Sequence, residues 1–156
     1  IPLRLVGSEM CIRDRISIDV RESYLKAKSE AKKDLSKINK KFQDLSNSEE
    51  FLLCITENGY GKLSSAYEYR ITNRGGSGVT NITVTPKNGR VVQSLKVSAE
   101  DNIALISDNG KLLRCNVGEN IRVVGRVSQG VSVFKVDKNE KIVSVARLEE
   151  SGDDDE

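Results

Sequence analysis

The sequence contains no histidine and no tryptophan, and its 156 residues include only three phenylalanines, four tyrosines and three cysteines. Without histidine, the chain lacks the general base of Ser-His and Cys-His catalysis and the nitrogen ligand of most zinc sites. The cysteines, Cys11, Cys54 and Cys115, are odd in number and far apart, which fits neither a disulfide framework nor a metal site. We therefore expect free thiols, no bound metal, and a core built mainly from Val, Ile and Leu.

Long hydrophobic stretches are also missing. The sequence has no apolar run of about 18 residues, the minimum for a membrane-spanning helix, and no leader with a processing site. These absences predict a cytoplasmic chain that neither crosses nor binds a membrane.

Charge is unevenly distributed, although the net charge of the chain is only +2. Residues 51–148 carry fourteen Lys and Arg against eight Asp and Glu, a net of +6. Residues 149–156 carry six acidic side chains and no basic one, a net of −6. A basic body with an acidic, disordered tail is typical of a polyanion binder whose tail screens its basic face. A solvated surface with a solubilising tail is the alternative interpretation.

Residues 16–48 have a helical hydrophobic period. Apolar side chains recur every three or four residues as one stripe, at Tyr24, Ala27, Ala31, Leu35, Ile38, Phe42 and Leu45. The spacing predicts one long amphipathic helix of about seven turns. Its stripe either packs against the β domain or a coiled partner, or serves as a docking surface.

Past Glu50 the pattern changes to short β-branched runs, at 51–55, 82–84, 91–92, 103–106, 131–134 and 142–145. Asn-Gly pairs at 58–59, 88–89 and 109–110 mark tight turns between them. This alternation predicts antiparallel hairpins.

The hairpins recur at an offset of 51 to 52 residues. Residues 55–59 are echoed by 106–110, and the further equivalent pairs are Arg70 and Arg122, Arg74 and Arg126, and Gly78 and Gly130. A fixed period in this range, with about four strands per unit, is typical of a propeller-like array with one repeat per blade. We predict a mainly β fold with two blades, at 49–98 and 99–148. Because a blade buries its faces against neighbouring blades, we expect these two to belong to a larger set.

Seven segments resemble, in order and spacing, the last two blades of the C-terminal β-pinwheel of the DNA gyrase A subunit. They read TENGYGK, SAYEYR, NRGGSGV, KNGRVV, SDNGKLLR, VGRVSQGV and KIVSVARL, within residues 50–148. The resemblance implies a DNA-binding module that wraps a duplex around a basic rim and contributes to ATP-dependent negative supercoiling by the whole enzyme. The topoisomerase IV A subunit carries a similar pinwheel and is an alternative. A protein-interaction array of β-repeats without DNA binding is another.

The resemblance also implies four candidate phosphate contacts. Lys62 matches the Lys of the family's N-G-x-G-K turn, and Arg70 matches the Arg after the aromatic pair. Arg74 matches the Arg before the double glycine, and Arg126 matches the Arg of G-R-x-x-Q-G. Charge and turn position add six more candidates: Lys87, Arg90, Lys111, Arg114, Arg122 and Lys135. Contacts of this kind position DNA without reading its sequence.

The same resemblance implies that this chain is not an enzyme by itself, because no tyrosine has the Arg-Tyr setting of the family's strand-cleaving residue. The parent protein is implied to be an ATP-dependent type IIA topoisomerase. Its ATP and Mg are used by other parts of the enzyme, so no cofactor is expected in this chain. The implied partners are double-stranded DNA, the gyrase B subunit, and the remainder of the gyrase A subunit, in an assembly of two A and two B subunits at the bacterial nucleoid.

The first fifteen residues include LVGSEMCIRDR, which resembles no blade and looks like a translated sequencing adapter. We expect residues 1–15 to be non-native and the reading frame to be truncated; a short native lead-in is the alternative. The predicted organisation is then a lead-in at 1–15, a helical segment at 16–48, blades at 49–98 and 99–148, and an acidic tail at 149–156.

Overall fold

The computed structural model of the chain describes residues 16–30, 42–70 and 77–148. The predicted lead-in, the middle of the predicted long helix and the acidic tail lie outside these ranges. None of the helices within them is long and apolar enough to cross a membrane. Contacts between residues divide the chain into two compact units, Ile1–Glu50 with Ser65–Val79, and Phe51–Ser64 with Thr80–Glu156.

The described part of the first unit is mainly helical. Helix α1 spans Ile18–Glu30 and helix α2 spans Gln43–Asn47. A 3-10 turn follows at Ala66–Glu68, where the Ser65 hydroxyl accepts a hydrogen bond from the Tyr67 N–H. Both helices fall within the predicted helical segment, and residues 31–41 between them lie outside the described residues, so the prediction of one continuous helix stays a prediction.

The apolar stripe of α1 packs within its own unit. Tyr24 is fully buried and meets the rings of Phe42 and Tyr67 edge to face, at centroid distances of 5.9 and 5.7 Å. Its hydroxyl donates to the Glu49 carboxylate at 2.8 Å, and the Lys28 ammonium donates to the same oxygen. These contacts favour the packing interpretation of the stripe over the docking interpretation.

The second unit is built from two antiparallel sheets. The strands are β1 (Phe51–Thr56), β2 (Tyr60–Ser65), β3 (Val91–Val97), β4 (Asn102–Ser107), β5 (Leu112–Asn116), β6 (Val131–Ser132) and β7 (Ile142–Leu148). A short helix, α3 (Val117–Asn120), follows β5. One sheet has the order β3-β1-β2-β6 and the other has the order β5-β4-β7. The antiparallel pairing of β1 with β3 and of β4 with β7 confirms the predicted fold class.

The two sheets repeat at the period that the sequence predicts. Phe51 lies opposite Val97 in the first sheet, and Asn102 lies opposite Leu148 in the second. Each residue of the second pair follows its counterpart by 51 positions. The hydrogen-bonded register therefore recurs along with the sequence.

The Asn-Gly turns after β1 and β4 are equivalent as well. Gly59 and Gly110 have φ angles of +75° and +78°, which glycine adopts without steric cost. Their N–H groups donate to the carbonyls of Thr56 and Ser107, each at 3.0 Å. Both predicted turns are thus confirmed as tight turns with positive φ.

Two predicted strands differ from the structure. Residues 82–84 form no strand, because this segment bonds to a loop: the Thr83 N–H donates to the Ser128 carbonyl at 3.2 Å and the Thr83 hydroxyl donates to the Val127 carbonyl at 2.6 Å. Residues 131–134 are a strand only at Val131–Ser132. Both predictions rested on β-branched composition, which does not show where a pairing edge lies.

Strands β2 and β5 were absent from the predicted set. Strand β2 contains Gly61, Lys62 and two serines, which have low β propensity, so its pairing is decided by tertiary contacts. Strand β5 follows directly from the Asn109-Gly110 turn and pairs with β4, with Leu113 opposite Leu105. The Asn-Gly pair before β5 is a local sequence signal, whereas β5 itself is defined by its pairing with β4.

The core of the second unit is aliphatic, as the scarcity of aromatic residues predicts. It draws on both sheets and on the segment after β5: Leu53, Ile55, Leu63, Val97, Ile103, Leu105, Val117, Ile121, Ile142 and Val145. The core holds the strand ends in place, and the turns that carry the basic residues project from those ends.

Candidate nucleic-acid interface

Apart from Lys111, five of the predicted phosphate contacts carry exposed side chains in the second unit: Lys87, Arg90, Arg114, Arg122 and Lys135. Lys87 and Arg90 lie in the turn before β3, and Arg114 lies on β5. Arg122 and Lys135 lie in the segments on either side of β6. Four of the five are therefore on connecting segments, where a polyanion can reach a cationic side chain.

The turn that carries Arg90 is fixed by Glu57. The Arg90 N–H donates to Glu57 Oε1 at 3.1 Å, and the Glu57 N–H donates to the Arg90 carbonyl at 2.8 Å. Both bonds use the backbone of Arg90, while its side chain is exposed. The bond from the Arg90 backbone, followed by the bond from the Lys141 ammonium, lowers the pKa of the Glu57 carboxyl.

Lys141 is a basic residue of the same kind that sequence reasoning missed. The Lys141 N–H donates to Asp108 Oδ1 at 3.0 Å and the Asp108 N–H donates to the Lys141 carbonyl at 2.9 Å, the same pair of bonds that joins Arg90 and Glu57. The Lys141 ammonium lies 3.2 Å from Glu57 Oε2, so Glu57 connects the equivalent turns of both repeats. Lys141 follows Arg90 by 51 residues, and the repeat period was the signal that identifies it.

Lys111 is exposed, but two carboxylates already engage its ammonium. Lys111 Nζ lies 2.5 Å from Asp137 Oδ2 and 3.0 Å from Glu140 Oε2. These carboxylates, Asp137 first, raise the pKa of Lys111. The Glu140 carboxylate is buried and also accepts hydrogen bonds from the Ser107 hydroxyl at 2.7 Å and from the Asp137 N–H at 3.1 Å. A phosphate at Lys111 would compete with both internal carboxylates.

Lys62 lies inside the fold, which conflicts with the prediction that it contacts phosphate. The residue is 0% exposed. Its ammonium donates to the Gly125 carbonyl at 3.3 Å and to the Arg126 carbonyl. Because the charged end of the side chain is directed at backbone oxygens of its own chain, Lys62 is not presented to a duplex.

Arg126 and Lys87 are also held by local contacts. The half-buried Arg126 donates from its guanidinium to the Thr80 carbonyl. The Lys87 ammonium lies 5.5 Å from the centroid of the Tyr60 ring, within the range of a cation–π contact. Lys87 remains exposed, so this contact orients the ammonium at the surface.

The two remaining candidates are placed differently. Arg70 is exposed and follows the 3-10 turn of the first unit. Arg74 lies outside the described residues. The nine predicted contacts within the described residues are thus divided among exposed positions, internally paired positions and the buried Lys62.

No group of three or more His, Cys, Asp or Glu side chains that could hold a metal ion is found in the part of the chain that the structure describes. Burial raises the pKa of the Cys54 and Cys115 thiols, which disfavours the reactive thiolate. What this surface offers chemically is charge and hydrogen-bond donors.

Comparison with known proteins shows which family this chain resembles. The family model of the DNA gyrase C-terminal domain, a β-propeller, matches residues 50–98 and 101–149. The DNA gyrase A subunit of Rickettsia bellii is 50% identical over 113 residues, which cover 72% of this chain and 12% of the relative. The DNA gyrase A subunit of Rickettsia typhi is 51% identical over 116 residues, which cover 72% of this chain and 13% of the relative. The chain thus spans roughly an eighth of the length of these curated relatives.

Solved structures with the same fold come from two kinds of enzyme. The C-terminal domain of DNA gyrase A matches with a TM-score of 0.59 and 34% identity, over 63% of this chain and 33% of that chain. The C-terminal domain of DNA topoisomerase IV matches with a TM-score of 0.58 and 25% identity, over 64% of this chain and 31% of that chain. Because the family model accounts for more than half of the residues, and gyrase A subunits share half of the aligned positions, the chain belongs to the DNA gyrase C-terminal β-propeller family.

Proposed function

We propose that this chain binds duplex DNA through its exposed turn cations and takes part in wrapping DNA as a section of a gyrase A subunit. One observation carries the proposal. Arg90 and Lys141 occupy the same turn in successive repeats, each fixed by the same pair of backbone bonds to an acidic residue. Cations presented at a constant structural period suit the regularly spaced charges of a phosphate backbone.

The chemistry of these side chains favours contacts that position DNA over contacts that read it. Arg90, Arg114 and Arg122 present guanidinium groups that can donate two hydrogen bonds to one phosphate. Smoothly bending a site of 20–30 base pairs costs on the order of 1–6 kcal/mol, which phosphate contacts and released counterions can offset. We therefore expect binding that is tolerant of sequence and steeply dependent on salt.

At the level of the whole enzyme, we propose that the chain contributes to ATP-dependent negative supercoiling. Similarity to DNA gyrase A subunits from several bacteria supports this assignment. ATP and Mg would be used by other parts of the enzyme, the B subunit would be a partner, and the site of action would be the bacterial nucleoid. In this assignment the chain guides DNA, and the chemical steps belong to other parts.

A topoisomerase IV protein is the second candidate, since a solved topoisomerase IV domain matches this fold almost as well as the gyrase domain does. Affinity for DNA does not separate the two, because the same cations would serve both. The assay that separates them is negative supercoiling of a relaxed plasmid by the assembled enzyme.

The DNA-binding proposal is tested by removing two exposed arginines whose backbone bonds survive the change. In Arg90→Ala with Arg122→Ala, the bonds of Arg90 to Glu57 and the bond from the Leu63 N–H to the Arg122 carbonyl are retained. Binding of a labelled duplex of about 40 base pairs is titrated over a salt series. We expect the slope of log affinity against log salt to fall by about 1.8, or about 0.9 for each lost contact.

The control removes the same charge from equivalent strand positions. Lys96 and Arg147 are exposed on β3 and β7, so Lys96→Ala with Arg147→Ala matches the test variant in removing two charges, one from each repeat. We expect the control to keep a slope close to that of the unmodified chain. Equal slopes in both double variants would reject specific turn contacts, and a folded chain without DNA binding would favour a protein-interaction array.

A further inference from the structure

The first sheet is completed by a strand from the second repeat. Strand β6 pairs with β2, with Ser132 opposite Tyr60 and Val131 opposite Gly61. Beyond β6, the N–H groups of Val133 and Phe134 both donate to the Gly59 carbonyl at 3.0 Å. The first sheet of the array therefore depends on a segment of the next repeat, about 70 residues further along the chain.

The approach to this strand is bonded to β2 as well. The Leu63 N–H donates to the Arg122 carbonyl at 3.1 Å, and the Val124 N–H donates to the Leu63 carbonyl at 2.9 Å. Residues 122–134, which we term the donor segment, thus touch β2 at both ends of the strand.

Gly61 allows the donor segment to approach closely. A Cβ atom at Gly61 would lie 2.5 Å from Ile55 Cδ1 and 2.9 Å from Val133 Cγ2. A Cβ atom at Gly130 of the donor segment would lie 2.9 Å from the Gly61 carbonyl oxygen. Both distances to the partner segment are too short for real side chains, so the two backbones meet where both carry glycine.

Lys62 binds the bend in the donor segment. Its buried ammonium donates to the carbonyls of Gly125 and Arg126, between the two ends of the segment that pair with β2. A buried ammonium is unfavourable unless it is hydrogen-bonded, so these carbonyls and Lys62 stabilise each other. We name the residue pair Gly61 and Lys62 the strand socket. Gly61 allows the donor segment to approach β2 closely, and the Lys62 ammonium holds that segment by its carbonyls.

The equivalent edge of the second sheet lacks both features. Strand β5 stands where β2 stands in the first repeat, and Leu112 and Leu113 replace Gly61 and Lys62 at an offset of 51 residues. Leu112 is 69% exposed, and β5 is the edge strand of its sheet among the described residues. The side chain of Leu112, at the position of Gly61, would clash with an incoming segment. The side chain of Leu113, at the position of Lys62, has no donor for the carbonyls of that segment.

We propose that Gly61 and Lys62 determine which sheet edge accepts the donor segment of a neighbouring repeat, and that Leu112 and Leu113 close the edge of β5 to such a segment. The strand socket thus determines which repeats pair with each other. In this role the charge of Lys62 acts on the chain itself and not on DNA. Glycine and leucine at equivalent positions then define an accepting edge and a closed edge.

A peptide probe tests whether Gly and Lys at positions 112 and 113 make the β5 edge bind the donor segment. The labelled probe carries residues 122–136 and is titrated into the unmodified chain and into Leu112→Gly with Leu113→Lys. The unmodified chain is expected to bind no probe, because its own donor segment fills the β2 edge and β5 is closed. The double variant is expected to bind one probe per chain. A probe with Gly130→Val is the matched control and is expected not to bind, because its side chain would meet the opposing carbonyl.

The result that would overturn the proposal is equal binding of the probe to both proteins, or no binding to a double variant that keeps its circular dichroism spectrum.

Amide hydrogen exchange provides a second, independent test that does not depend on the folding of that double variant. In Lys62→Met, protection of the Val133 amide is expected to fall about tenfold or more, the size of effect that accompanies loss of hydrogen bonds to a charged group. The amide of Ile103 in the other sheet should be unchanged, and so should Val133 in Lys135→Met, which removes an exposed charge. Unchanged protection of Val133 in Lys62→Met would show that the clamp does not hold the strand.

Discussion

The turns before β3 and β7 stand in equivalent places in the two repeats, yet they are held by different chemistry. In the first, the buried Asn88 accepts a hydrogen bond from the Thr85 N–H at 2.7 Å and donates to the carbonyls of Thr83 and Gln129 at 2.9 and 3.0 Å. In the second, the buried Glu140 accepts a bond from the Asp137 N–H at 3.1 Å. A neutral amide and a carboxylate thus anchor turns at the same place in the two repeats.

The backbones of the two turns also differ: the Gly89 N–H donates to the Thr85 carbonyl at 2.9 Å, four residues back, and the Glu140 N–H donates to the Asp137 carbonyl at 3.0 Å, three residues back. Gly89 in the first turn has a φ of +75°, and Asn139 in the second has a φ of +70°. Asparagine is one of the few residues that tolerate this left-handed conformation. The repeat therefore keeps the position of the turn, while the anchor and the local backbone both change.

The largest effect is expected at the neutral anchor. Asn88→Ala leaves the Thr83 and Gln129 carbonyls and the Thr85 N–H without the amide partner, so we expect the free energy of unfolding to fall by about 2–3 kcal/mol. Urea unfolding measures the change. Asn109→Ala, at an exposed asparagine of the turn after β4, is the control and should change stability by no more than about 0.5 kcal/mol. Equal losses in the two variants would show that Asn88 has no special role.

The charged anchor should make the second repeat sensitive to acid. Hydrogen bonds from Ser107, from the Asp137 backbone and from Lys111 lower the pKa of Glu140 from 4.5 to about 2. Because the folded state favours the ionised form, this contribution to stability is fully present above pH 4.5 and is lost as the pH falls toward 2. Asn88 itself does not titrate, so the acid-sensitive contact of the first turn is the one that the Glu57 carboxylate makes with the Arg90 N–H.

Thermal unfolding between pH 7 and pH 2 measures this difference. Glu140→Gln should lower the melting temperature at neutral pH and flatten its dependence on pH below 4.5. Glu119→Gln, at an exposed glutamate of α3, is the matched control and should leave the profile unchanged. A profile for Glu140→Gln that parallels that of the unmodified chain would contradict the proposed role of the carboxylate.

Sequence patterns were sufficient for the parts of the fold that depend on local signals. The structure confirms the 51-residue period, the Asn-Gly turns and the antiparallel class. These features are predictable because each depends on a local residue pattern, such as Asn-Gly at a turn or a β-branched run in a strand. Pairing between distant segments leaves no such pattern. The pairing of β6 with β2, and the loop bonds of Thr83, therefore escaped prediction.

The candidate site shows the same limit. Lys62 and Arg90 look alike as basic residues of Gly-containing turns, but only the fold shows that one is buried on carbonyls and the other is exposed. Lys141 follows Arg90 by the 51-residue period, and that period alone identifies it. The number of charges in a sequence does not distinguish a cation that is buried on backbone carbonyls from one that is exposed to a ligand.

The most direct test of the account compares two single variants that each remove one positive charge. Lys62→Met removes the buried cation and Arg90→Ala removes the exposed one, and the salt dependence of duplex binding is measured for both at a temperature where each is folded. We expect the slope to fall by about 0.9 in Arg90→Ala and to stay at the value of the unmodified chain in Lys62→Met. A fall in Lys62→Met with no change in Arg90→Ala would contradict the assignment of DNA binding to the exposed turn cations.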